Sequence, residues 1–247
     1  MTAVTIDIRF IGPPRSANGG YTCGIVAEAL GDGPTDVRLL APPPVGVALD
    51  LEVADGTARL AGPDGPIAVA RPWDGDIEPP PPVSRAEAEG LTGDYDLEGY
   101  RRAHAFPGCF TCGPDRSADD GLRIFPAPHP ERELVAWPWS PSDTVTGADG
   151  LVTVPVIWAA LDCPSGLIWS LAGPEPEPAV LGRLATRITR RPAAGEPCVA
   201  AGWRLEAEGR RRHSGSALWS ADGEVLARAE STWVALTQEQ MAAFGAR

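Results

Sequence analysis

The chain has 247 residues, 43% apolar and 22% charged, with a formal charge of −12 and no lysine, so that Arg carries its positive charge. These proportions suit a folded globular protein of one large domain or two small ones, long enough to bury a core. The acidity argues against general binding to nucleic acid or anionic lipid and leaves room only for a local basic pocket.

Residues 1–10, MTAVTIDIRF, alternate polar and apolar positions like a strand and lack the basic and apolar regions of a secretory signal. Five cysteines, an odd number, do not make a disulfide framework, and a cytoplasmic location is the expectation. A Gly- and Pro-containing loop follows, from which Asn18 can cap a helix starting near Gly19 and reaching Leu30, closed by Gly31-Asp32-Gly33. Three strand-like runs come next, TDVRLLAP, VGVALDLEVAD and GTARLAGPDGPIAVARP, with Asp55-Gly56 and Asp64-Gly65 as hairpin signals. These elements form a first unit over 1–75. Residues 76–103 hold Pro79-Pro80-Pro81-Pro82 and an acidic, weakly helical stretch, the composition of a linker.

The second unit, 104–247, opens with HAFPGCFTCG at 104–113, and strands are expected near 121–125 and 133–139. Residues 153–171, TVPVIWAALDCPSGLIWSL, are apolar almost all round, the pattern of a buried helix. A membrane span is not expected, because Pro155, Asp162 and Pro164 interrupt the stretch and no basic residues flank it. After a Pro-rich segment at 173–178, three runs close the chain: AVLGRLATRITRR, EPCVAAGWRLEAEGR and HSGSALWSADGEVLARAESTWVAL. The two units rhyme. The words GPDGPIAVAR and SADGEVLAR keep the same order at the same place in each, a repeat of roughly 110 residues. An α+β fold follows, with a curved antiparallel sheet wrapped round one central helix, made twice.

That pattern resembles the hotdog fold, and two tandem copies resemble the double-hotdog acyl-CoA thioesterases. Asn18-Gly19-Gly20-Tyr21 is similar to the family's His-Gly-Gly helix start, with Asn in place of His. Cys109-Phe110-Thr111-Cys112-Gly113, followed by Gly121-Leu122, resembles the C-F-x-C-G segment and Gly-Leu strand of the small phenylacetate-type thioesterases. Ala160-Leu161-Asp162 matches the Leu-Asp position on their central helix. The resemblance implies hydrolysis of an acyl-CoA or related thioester by a helix carboxylate acting on water or as nucleophile, with backbone N–H groups of a helix start at the carbonyl. It implies no cofactor beyond the coenzyme A of the substrate, and two units that close on each other within one chain, compatible with a homodimer of such chains.

Asp162 is the first catalytic candidate, since burial raises a carboxyl pKa towards the range where a general base works. Pro164 should kink the helix beside it, and the alternative role for Asp162 is capping a second helical segment that begins there. In the second unit Thr153-Val154-Pro155 stands where His-Gly-Gly would, which makes Thr153 a position of the binding loop and leaves a catalytically inactive acyl-CoA-binding protein as the rival reading. In the first unit Ala27 stands nine residues after Asn18, with Glu28 next to it as a second candidate acid beside Asn18, Gly19, Gly20 and Tyr21. Arg183 and Arg187 share a strand face in the only basic region and are candidates for the phosphates of coenzyme A, against a solvated strand edge. Cys109 and Cys112, with His104 before and His129 after, read as turn-forming or packing residues ahead of a zinc site. The tryptophans read as core.

Overall fold

The computed structural model describes residues 2–172 and 178–244; most of the Pro-rich segment at 173–178 lies outside the described residues. The N-terminal elements are β1 (Thr2–Thr5), α1 (Gly19–Glu28), β2 (Thr35–Leu39), β3 (Ala48–Ala54), β4 (Thr57–Gly62) and β5 (Gly65–Pro72). Two short helices follow, α2 (Arg85–Gly90) and α3 (Leu97–Ala103). The remainder comprises β6 (Ala127–Pro128), β7 (Leu134–Trp139), α4 (Val154–Leu171), β8 (Ala179–Ile188), β9 (Cys198–Glu208), β10 (Arg211–Ser220), β11 (Val225–Ala235) and α5 (Gln238–Phe244).

Among the described residues the strands form one antiparallel sheet of eleven, in the order β1-β3-β4-β5-β2-β8-β11-β10-β9-β7-β6. Read outward from its middle, this order is the repeat made visible. β2, β5, β4, β3 and β1 on one side correspond to β8, β11, β10, β9 and β7 on the other, and the halves join where β2 pairs with β8 from Thr35↔Thr186 to Arg38↔Arg183. The third run of each unit is therefore two strands rather than one, folded back at the Asp-Gly words. Asp55 and Gly56 both have positive φ in the two-residue turn between β3 and β4, which is the geometry that asks for Asp-Gly.

Both central helices lie on the same side of the sheet, α1 across β2, β4 and β5, and α4 across β7 to β11. Strand alternation aims the core at them: on β3, Leu49 and Leu51 are buried and Asp50 and Glu52 exposed. α4 is the one described helix long and apolar enough to cross a membrane, and most of it is buried inside the protein. It runs as one element through Pro164, so the second helical segment weighed for that point does not form. Side chains occupy backbone acceptors around the proline: Ser165 Oγ donates to the Asp162 carbonyl at 2.7 Å and Thr111 Oγ1 to the Ala159 carbonyl at 3.1 Å.

Three expectations are corrected. The first strand stops at Thr5, because Asp7 accepts the Arg9 N–H at 2.7 Å and caps a 3-10 turn over Ile8–Phe10. Residues 121–125 are extended but belong to no strand, bonding instead to the cysteine loop through Leu122 N–H to the Phe110 carbonyl and Ile124 N–H to the Thr111 carbonyl. The 76–103 segment is more than a tether. Asp76 holds Arg228 with two bonds of 2.7 Å, and Arg85 donates to the carbonyls of Trp139 and Cys198. Val83 and Ala88 are buried with Trp203 and Trp219 on the far side of the sheet, away from α4. The segment roofs that face and delivers α3 to the site.

Candidate active site

α1 begins where Asn18 turns the chain: its Oδ1 accepts the Tyr21 N–H at 2.8 Å, which satisfies one of the free donors of the first turn. Two residues on, Gly20 N–H donates to Asp162 Oδ2 at 2.9 Å. This bond crosses between the two repeats and joins the start of α1 to the middle of α4. Only glycine allows it. A Cβ on Gly20 would lie 2.5 Å from the Asp162 Cβ and 2.6 Å from the Trp158 carbonyl oxygen, and one on Gly24 would lie 2.4 Å from the Pro155 Cα. The Gly-x-x-x-Gly spacing puts both on one helix face, so α1 and α4 touch backbone to backbone.

Asp162 is 2% exposed, and its second oxygen, Oδ1, is buried without a hydrogen-bond partner. Burial is the main cause that pushes its pKa up to about 7; the Gly20 N–H and, more weakly, the Asn18 side chain pull the other way, and negative charge on Cys109 adds to the rise. The carboxyl forms part of the wall of a cavity of about 640 Å³, within the range of small-molecule sites. Asn18 and Gly19 from α1, Leu39 at the end of β2, Leu181 on β8, Tyr100 and His104 from the α3 region, and Trp233 on β11 line it as well. The lining is mainly apolar, and no Arg belongs to it among the described residues.

Beside Asp162 stand three cysteines. Cys163 Sγ lies 3.7 Å from Cys109 Sγ, Cys112 completes the group, and Asn18 Nδ2 donates to Cys109 Sγ at 3.7 Å. The Cys112 and Cys163 thiols, as donors to Cys109, hold its pKa well below the usual thiol range. His104 is buried, its Nδ1 accepts the Phe106 N–H at 3.0 Å, and burial lowers its pKa.

The structure thus brings Asn18, Gly19, Gly20 and Asp162 together and leaves the other candidates elsewhere. Glu28 is exposed at the end of α1 and outside the cavity lining; the Gly20 donor that was to serve it goes to Asp162. Tyr21 stacks on Phe10 with ring centroids 3.9 Å apart, behind the site, and burial raises its hydroxyl to about 12. Thr153 is the half-buried N-cap of α4, with no capping bond from its side chain and no place in the lining. Arg183 is held by Asp36 and Glu230, and Arg187 lies 3.7 Å from Asp76, so neither faces the cavity. His129 lies outside the lining, whereas His104 is within it. Trp158 and Trp219 are buried as core; Trp233 reaches the cavity, with its Nε1 donating to Ser165 Oγ at 2.9 Å. Cys163 was missed in the sequence, although the signal was there: a cysteine directly after the one acid of the central helix.

No protein-family model matches the chain, and no curated protein matches it either. Solved structures do resemble it. A candidate thioesterase from Novosphingobium aromaticivorans superposes with a TM-score of 0.60 at 17% identity over 95% of both chains. The tesB protein of Mycobacterium avium subs paratuberculosis gives 0.59 at 10% identity, over 95% of this chain and 92% of the other. A hotdog-fold protein of unknown function from Alicyclobacillus acidocaldarius gives 0.53 at 10% identity, again over 95% and 92%. The chain has the double-hotdog fold. At such identities the likeness is one of architecture alone.

Proposed function

We propose that this double hotdog is a thioester hydrolase that takes an acyl-CoA or a related thioester, with the acyl group in the cavity beside Asp162. The observation that carries the reading is the cross-repeat bond: Gly20 N–H holds one oxygen of Asp162, the other is buried without a hydrogen-bond partner, and the residue belongs to the cavity lining. A carboxylate fixed in this way accepts a proton from a water molecule as the water oxygen bonds to the thioester carbonyl carbon. The C–S bond then breaks, the thiol leaves with a proton and the acyl group departs as a carboxylic acid. Direct attack by the carboxylate, with water cleaving the resulting anhydride, gives the same products. Gly19 N–H, at the first helical position and without a partner inside its own helix, is suited to polarising the carbonyl at the cavity wall. The mainly apolar walls suit the acyl part, and in this reading the phosphates of coenzyme A lie outside the cavity. A cytoplasmic location belongs to the same proposal.

The test is thiol release from a panel of acyl-CoAs, wild type beside Asp162→Asn. Asn keeps an oxygen for the Gly20 N–H but cannot act as base, so kcat is expected to fall by about 10²–10⁴-fold with the fold intact. Turnover that survives the change removes Asp162 from the chemistry. Saturable binding without turnover in the wild type makes the protein a binder on this fold.

A further inference from the structure

Cys109 and Cys112 come from the loop before β6, and Cys163 from the middle of α4, yet their three sulfurs all lie within 4.8 Å of one another, buried. We propose that these three thiolates bind a thiophilic divalent cation, zinc by its chemistry, with the fourth coordination position open to the cavity. The proposal does not depend on the thioesterase reading. Its first support is distance. Four ligands at a Zn–S bond of about 2.3 Å form a tetrahedron with edges of about 3.8 Å, and Cys109 and Cys163 already stand 3.7 Å apart.

The second support is a loop held as a bidentate ligand. Cys109 and Cys112 have the two-residue spacing of structural zinc sites. Gly113 closes the turn, with its N–H on the Cys109 carbonyl at 2.9 Å, and a Cβ there would lie 2.4 Å from that oxygen. The Tyr100 hydroxyl donates to the Cys112 carbonyl at 3.0 Å, and Thr111 Oγ1 ties the loop to α4. Both cysteines are therefore aimed at Cys163 before any ion arrives. Asn18 Nδ2, 3.7 Å from Cys109 Sγ, supplies the kind of N–H donor that steadies a metal-bound thiolate.

The third support concerns the open side. All three cysteines belong to the cavity wall, as does His104, whose buried Nε2 has no partner. Because Nδ1 accepts the Phe106 N–H, the neutral ring carries its proton on Nε2. It is thus a donor rather than a fourth ligand, and water takes that position. Loading forms three metal–sulfur bonds and releases the protons of the Cys112 and Cys163 thiols, Cys109 already serving them as the acceptor.

Fully reduced wild-type protein, stripped of metal, is titrated with Co²⁺ and then with Zn²⁺. The expected result is one equivalent per chain, with thiolate-to-cobalt charge-transfer bands and the ligand-field bands of a tetrahedral site, both lost on adding Zn²⁺. Cys198→Ser leaves the bands unchanged. Cys163→Ser weakens Co²⁺ binding by more than the roughly 10–100-fold that loss of an outer partner costs. A folded, reduced wild type that takes up no Co²⁺ at equimolar concentration overturns the proposal whatever the variants do. Bands that persist in Cys163→Ser, or isolation of the protein as a metal-free Cys109–Cys163 disulfide, overturn it too.

Discussion

The two central helices descend from the same plan and have divided its chemistry between them. Asn18 is the N-cap of α1 and Thr153 that of α4, so Gly20 corresponds to Pro155 and Ala27 to Asp162. On one side of the pseudo-symmetric contact, Gly20 gives its N–H to Asp162. On the other, the donor has become a proline, which has no N–H, and the acceptor an alanine, which has no carboxylate. Both partners of the second bond are gone. A buried carboxylate without a donor is costly, so losing one partner favours losing the other. In the proposed reading, a single site assembled from two halves needs only one copy of each part.

Rebuilding half of the lost pair should do the most damage. Ala27→Asp places a carboxylate in the core facing a helix start whose proline offers nothing, and a loss of about 3–5 kcal/mol is expected in denaturant unfolding. Pro155→Gly in the same chain restores an N–H and should recover part of that loss, a coupling read from a double-mutant cycle. Gly20→Ala attacks the surviving pair instead. Its methyl group must displace the Asp162 Cβ, at a cost of about 1–3 kcal/mol, and the same shift should lower kcat at least about 100-fold through misplacement.

A second contrast lies on the far side of the sheet, where the 76–103 segment covers the second half while Asp50 and Glu52 on β3 are exposed in the first. Val83→Ala should cost about 1–3 kcal/mol by thermal unfolding, as for a core side chain. A result within 0.5 kcal/mol would make the segment a loose tether after all. The smallest effect is expected at Glu28→Gln. An exposed carboxylate away from the cavity should leave kcat/KM unchanged and stability within about 0.5 kcal/mol.

Much of the fold was legible because its signals are local. The Asp-Gly turn words repeat in order, and residues 153–171 are apolar on every face. Asp162 stood out as the one charge in that stretch. What stayed hidden is what distance in the chain conceals. Gly20 and Asp162 are 142 residues apart, and the helix start reads as a motif for its own repeat until the sheet order shows which helix it meets. Cys163 joins Cys109 across 54 residues, and a C-x-x-C by itself does not say which sulfur of another element it meets. Arg183 and Arg187 looked free because β-strand spacing fixes a face but not the Asp36, Glu230 and Asp76 that meet them there. Val83 and Ala88, single apolar residues amid prolines and acids, carry no periodicity to announce that they are buried.

The measurement closest to the central claim is the stoichiometry of a non-hydrolysable acyl-CoA thioether by isothermal titration calorimetry. One composite site predicts one ligand per chain, with Gly20→Ala weakening that binding. Two ligands per chain, or none that saturates, would contradict the division of the site between the two repeats.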